Sequence, residues 1–239
     1  MKLRGDTDHK EMHSDNTRML SDFILGSQDG LVNVLGIILG VAAATSDIRI
    51  IFVAALAALG AESVSMGAVA YTSTLARRRY YLGEVARERR EMRNMPHVET
   101  EEIRSILKDW GYKGKKLADM TKNIVANPKA MLNFMMSFEL SLSPVTKSQP
   151  FKSFITVLSA TVFGSIIPLL PFLFLSHNIL YGMITSVIIS GIFLFIVGYY
   201  EAKHTIGSVW RSGLQMLVIG LSAGVVGYLI GHFIGAVPF

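Results

Sequence analysis

Five stretches of nearly unbroken apolar sequence set the pattern of this chain: about Phe23–Thr45, Ile48–Leu75, Phe154–Leu175, Ile179–Tyr200 and Gln215–Val237. As helices, each is long enough to cross roughly 30 Å of hydrocarbon. A soluble five-helix protein would carry polar stripes at helical spacing, and these runs almost lack them. The pattern predicts an all-α, polytopic membrane protein with five transmembrane helices. Between the second and third runs the chain turns charged and mostly helical in periodicity. The expected organisation is an N-terminal segment (1–21), spans 1 and 2 (22–76), a helical module (77–149) and spans 3 to 5 (150–239).

Composition agrees with this division. Hydrophobic residues make up 51% of the chain, charged ones only 17%, and the mean hydropathy is +0.42. The first twenty residues are polar and carry no apolar core of the kind a cleavable signal peptide needs, so none is expected. Cysteine is absent, which leaves carboxylates, imidazoles, thioethers and backbone oxygens as metal ligands.

Charge sets an orientation. Residues 77–149 hold 15 Lys/Arg, and the connection around Lys203 and Arg211 is also basic, whereas the Ser176–Asn178 turn and the C-terminal tail have none. Basic loops stay on the cytoplasmic side. The N-terminus, the module and the fourth connection are therefore expected in the cytoplasm, with the C-terminus opposite. The net charge of +5 reflects this topology and implies no nucleic-acid partner. His9 and His13 stand at i, i+4 in the N-terminal segment; that polar setting favours exposed side chains over a metal site.

Acidic groups inside the apolar runs are the first candidate chemistry, because a carboxylate in a spanning helix is costly and marks a pathway or a protein interior. Asp29 precedes Asp47, in the first turn, by 18 residues, and Met66 follows Ile48 by 18; Asn33 and Glu62 are each 14 from that turn. At a rise of about 1.5 Å per residue, Asp29 matches Met66 in depth and Asn33 matches Glu62. Within each helix the pairs are i, i+4 and share a face. Hard oxygen donors beside one thioether point to a transition-metal ion. Rows of glycine (Gly26, Gly30, Gly36, Gly40; Gly220, Gly224, Gly227, Gly231, Gly235) suit close helix packing, within a subunit or at a dimer seam.

The module carries a second set. The second span is expected to continue through Arg77–Met95, and Pro96 to restart the chain as a new helix. A short helix is expected near Leu117–Val125 and another over Pro128–Leu142, capped by Asn127. Glu88 and Glu91, and Glu99 and Glu102, are i, i+3 pairs; Met135, Met136 and Glu139 follow helical spacing. Glu-x-x-Glu on neighbouring helices is how helical bundles offer oxygens to divalent metals. The same spacing beside Arg87, Arg89, Arg90 and Arg93 also describes an ordinary solvated helix.

Four motifs, DGLVNVLGIILGV from Asp29, SMGAVAYTS from Ser65, FMMSFELSL from Phe134 and GSIIPLLPF from Gly164, together resemble the vacuolar iron transporter family. That group includes the plant vacuolar and yeast calcium-cross-complementing transporters. The resemblance runs from about Asp22 to the end. It implies a homodimer with five spans per subunit, moving Fe²⁺ and often Mn²⁺ out of the cytosol in exchange for protons. Asp29 and Met66 match the family's translocation residues. Its metal-binding module falls on Glu88, Glu91, Glu99, Glu102, Met135, Met136 and Glu139.

Two positions depart from the family pattern. Ala70 stands where many members have glutamate, and Glu62 stands one turn before Met66, where a small residue is usual. This places the carboxylate two turns away along the same face. The resulting expectation is a proton-coupled Fe²⁺/Mn²⁺ exporter, with Co²⁺ and Zn²⁺ as further candidates and no prosthetic group. Its host is a prokaryotic cytoplasmic membrane, or a vacuolar membrane if eukaryotic. The rivals are a membrane-bound di-iron ferroxidase, which would ordinarily need Glu-x-x-His, and a metal-gated sensor without flux.

Overall fold

The computed structural model describes residues 13–175, 178–203 and 207–235, and the side chains from Arg18 onward within them. His9 lies outside the described residues, as does the side chain of His13. The described chain is helical throughout, with no strand: α1 (His13–Ala44), α2 (Ile48–Asn94), α3 (Pro96–Asp109), α4 (Gly114–Val125), α5 (Pro128–Phe134), a π-helical turn (Met135–Glu139), α6 (Gln149–Phe174), α7 (Ile179–Lys203) and α8 (Val209–Gly235). Five of these, α1, α2, α6, α7 and α8, are long and apolar enough to cross a membrane. The chain is thus an all-α membrane protein with five candidate spans.

It divides into two compact units, Met1–Tyr71 with Phe151–Phe239, and Thr72–Pro150. In the first, α1 is the central helix: Leu31, Val34, Leu35 and Ile38 are fully buried. Val34 and Ile38 join Ile51, Ala55, Leu169 and Phe172 in one apolar cluster, and Leu31 joins Ile167, Leu194 and Met216 in another. Glycine permits the close approaches. A Cβ on Gly26 would lie 2.7 Å from the Val157 carbonyl oxygen of α6, and one on Gly40 would lie 2.9 Å from the Gly227 oxygen of α8. Gly227 and Gly231 meet Gly36 and Gly40 in return. These members of the α8 row therefore serve packing inside the subunit. The α1–α2 turn closes locally, with the Arg49 amide donating to Asp47 Oδ1 (2.8 Å) and the Asp47 amide to Thr45 Oγ1 (3.1 Å).

The second unit is built around Ile103, Leu107, Met131, Phe134 and Met135, with Met92, Ile124 and Val125 packed against them. A single residue, Met95, separates α2 from α3, and Pro96 opens the new helix, as its fixed φ favours. Gly111 and Gly114 take positive φ, which lets the chain turn between α3 and α4. Asn127 Oδ1 accepts from the Lys129 and Ala130 amides at the start of α5.

The helix expected over Pro128–Leu142 is interrupted. After Phe134 the backbone widens to π geometry, with the Leu140 amide reaching the Met135 carbonyl at 3.1 Å and the Leu142 amide reaching that of Met136 at 2.8 Å. The α-helical face assumed for Met135, Met136 and Glu139 is replaced by a wider turn, a form that recurs at functional sites. Four helices also begin earlier than expected, α1 at His13, α4 at Gly114, α6 at Gln149 and α8 at Val209.

Candidate metal centres

Within the first unit, Glu62 is the focus of the polar groups. Asn33 of α1 donates a hydrogen bond through its amide nitrogen to Glu62 Oε1, joining the two residues that the depth count put level. Asp29, one turn earlier on α1, lies near enough for its charge to act on Glu62. The other carboxyl oxygen, Glu62 Oε2, is buried without a hydrogen-bond partner. An orphaned buried oxygen is costly unless a proton or a cation satisfies it. Asp29 and Met66 are half-buried, and Met66 follows Glu62 by one turn of α2. The level count pairs Asp29 with Met66, while Asp29 engages Glu62 diagonally. Asn33, Glu62 and Gly36 also line a groove of about 920 Å³ between α1, α2 and α8, walled mostly by apolar side chains.

In the second unit, one oxygen each from Glu88, Glu91 and Glu99 lie within 4.8 Å of one another. This spacing can be bridged by one divalent ion with carboxylate oxygens at about 2.0–2.6 Å. Glu88 and Glu99 are almost fully buried, 1% and 3% exposed, and each keeps one buried oxygen without a partner. A solvated helix face would not bury them. The arginine alternative is present but confined: Arg87 bridges Glu84 (2.9 Å), Glu91 (3.5 Å) and Glu88 (3.8 Å).

Electrostatics gathers further residues. Burial, reinforced by the charges of Glu88, Glu102, Glu139 and Glu91, pushes the Glu99 carboxyl up to about 7. Partial desolvation, with Glu102 and Glu88 next in weight, does the same to Glu139, also to about 7, against the partial relief of Arg87. Glu102 is half-buried and Glu139 exposed, so both stand at the open side of the cluster. Met135 and Met136 are buried, and Met135 is part of the apolar core. The structure thus draws the five predicted glutamates into one field, with the two methionines at the buried start of the π turn.

Glu84 was missed by motif reading. It binds Arg87 and its charge acts on Glu88; its position one turn before Glu88 on the same α2 face was the available signal. Trp110 and Phe138 were also missed. With Phe134 they form an aromatic cluster beside the π turn, Trp110 and Phe138 meeting edge to face at 4.7 Å.

The chain is similar to known proteins over most of its length. A family model described as the VIT family matches residues 20–232. "Vacuolar iron transporter 1" of Tulipa gesneriana is 30% identical over 96% of this chain and 93% of its own length. The Arabidopsis thaliana protein of the same name is 29% identical over 95% and 90%. "Protein CCC1" of Saccharomyces cerevisiae is 25% identical over 89% of this chain and 68% of its own.

Proposed function

The chain belongs to the VIT family, and on that premise we propose that it is a transporter, not an enzyme, and moves Fe²⁺ out of the cytosol in exchange for protons. Mn²⁺ is proposed as a second substrate. The observation that carries the reading is the Asp29–Glu62–Asn33 constellation inside two apolar spans. A carboxyl group with a buried, unsatisfied oxygen in such a place suits a step that exchanges a cation for a proton. Met66 adds a soft donor that favours Fe²⁺ over Mg²⁺.

In this reading the 72–150 unit is cytoplasmic and collects the metal. Glu88, Glu91 and Glu99 are the primary ligands, Glu102 and Glu139 extend the oxygen set, and Met135 and Met136 tune its softness. Two copies acting as a homodimer are part of the proposal; the outward face of α2, where Val53, Leu56, Val64 and Val69 are more than half exposed, suits contact with lipid or a partner. The relatives named vacuolar favour a vacuolar membrane over the prokaryotic cytoplasmic membrane expected from the short chain.

The test is flux in proteoliposomes. Fe²⁺ entry is expected to accelerate when the lumen is acidic, and Asp29→Ala or Met66→Ala is expected to abolish it. Flux indifferent to the pH gradient would remove proton exchange. Unchanged flux in both variants would remove this route.

A further inference from the structure

The second unit contains a hollow of about 600 Å³ that the metal-transport reading does not use. Arg89 and Arg93 of α2 and Lys129 of α5 line it, while Met92, Val125 and Met131 supply apolar surface. No carboxylate is among the described residues that line it. None of the three cations has an ion-pair partner among the described residues. This differs from Arg87, on the same helix, which is held by three glutamates.

The separation follows from helix geometry. Arg89, Met92 and Arg93 are i, i+3, i+4 and share one face, while Glu84, Glu88 and Glu91 share another, roughly a third of a turn around the axis. Met92 stands between the two faces and also packs on the core that contains Met131. Three exposed like charges around one concavity raise its positive potential, which attracts an anion. Guanidinium groups suit phosphate oxygens, which they bind in bidentate fashion, and a hollow of this size is typical of small-ligand sites.

We propose that this hollow binds a phosphate ester with an apolar body. The phosphate sits among Arg89, Arg93 and Lys129, and the body lies on Met92, Val125 and Met131. Such a ligand spans α2, which carries Glu88 and Glu91 of the acidic cluster, and the α4–α5 connection. A soluble nucleotide and a phospholipid headgroup share this chemistry.

The experiment uses the full chain in a non-ionic detergent, with metal removed by chelator and the chelator then removed. Calorimetric titration compares inorganic pyrophosphate, adenosine triphosphate and a short-chain phosphatidic acid. Saturable binding of either ester, at least about tenfold tighter than pyrophosphate, is expected, and the tighter of the two identifies the source. Arg89→Ala with Arg93→Ala is expected to weaken binding by at least about tenfold. Lys129→Glu, on a different helix, is expected to weaken it as well. Co²⁺ binding retained in both variants shows that the unit still folds. No saturable binding by any probe, or binding unchanged in both variants, overturns the proposal. Equally tight pyrophosphate binding overturns the role of the apolar surface.

Discussion

Asn33 donates a hydrogen bond to Glu62 across the α1–α2 hairpin, while Asp29 approaches the same carboxyl group from one turn away. Glu62 is thereby fixed by one oxygen and left with the other buried and unsatisfied. In the proposed route Asn33 is a positioning group and Glu62 supplies the charge. Asn33→Ala frees the carboxylate, and the loss of a hydrogen bond to a charged group is expected to lower Fe²⁺ flux about tenfold or more. Glu62→Gln keeps a partner for Asn33 but removes the charge, and is expected to lower flux further. Initial rates in proteoliposomes at a fixed gradient decide this. Wild-type rates in both variants would take the pair out of the route.

Metal capture by the acidic cluster should depend on pH near neutrality. Glu99 and Glu139 are both raised to about 7, so each is largely protonated at about pH 6 and largely ionised at about pH 8. Metal must displace those protons. If both carboxylates bind the ion, affinity should fall about tenfold per group between these two values as pH drops. Titration with Mn²⁺ or Co²⁺ at both values measures it, and Glu99→Gln should remove one group's share of the dependence. A flat profile would show that neither group is a ligand.

The same shift has the opposite sign for stability without metal. In the folded unit Glu99 holds its proton to about 7, against 4.5 for an unperturbed carboxyl. Between those values the folded state binds more protons than the unfolded state, so stability falls as pH rises. Full-length protein in chelator should show faster amide exchange across residues 88–139 at about pH 8 than at about pH 5, after correction for intrinsic rates. Glu99→Gln should flatten that loss, and added metal should reverse it. Protection that increases with pH in the metal-free protein would contradict the burial of an ionisable Glu99.

The Asn33–Glu62 level was readable because helical rise is constant and the Asp47 turn is short, so counting residues from the turn fixes depth. Counting does not fix rotation about the helix axis, which is why the approach of Asp29 to Glu62 was not foreseen. Glutamate spacing named residues that the structure brings close together in the second unit. It did not reveal that Glu88 and Glu99 are buried, because that follows from how Ile103, Leu107 and Met131 pack. The π turn was invisible because Met-Met-Ser-Phe-Glu has ordinary α-helical composition, and the extra residue is accommodated by tertiary packing. The α8 glycines announced close approach, but only their position against Gly36 and Gly40 shows with which helix.

Glycine positions that look alike in sequence should therefore differ sharply on substitution. A Cβ on Gly40 would press on the Gly227 carbonyl at 2.9 Å, and Gly231 is backed more closely still by the Gly40 backbone. Backbone cannot move aside as a flexible side chain does, so Gly231→Ala should force α1 and α8 apart at a cost of about 1–3 kcal/mol. Gly60, on the second span, has nothing within 4 Å of an added Cβ. There Gly60→Ala gains helix propensity and restricts the unfolded chain, and should stabilise by about 0.4–1 kcal/mol. Thermal unfolding in detergent compares the two directly. A partner copy seated closely on Gly60 would reverse the second result, so destabilisation by Gly60→Ala, growing with protein concentration, would locate a subunit contact on that face of α2.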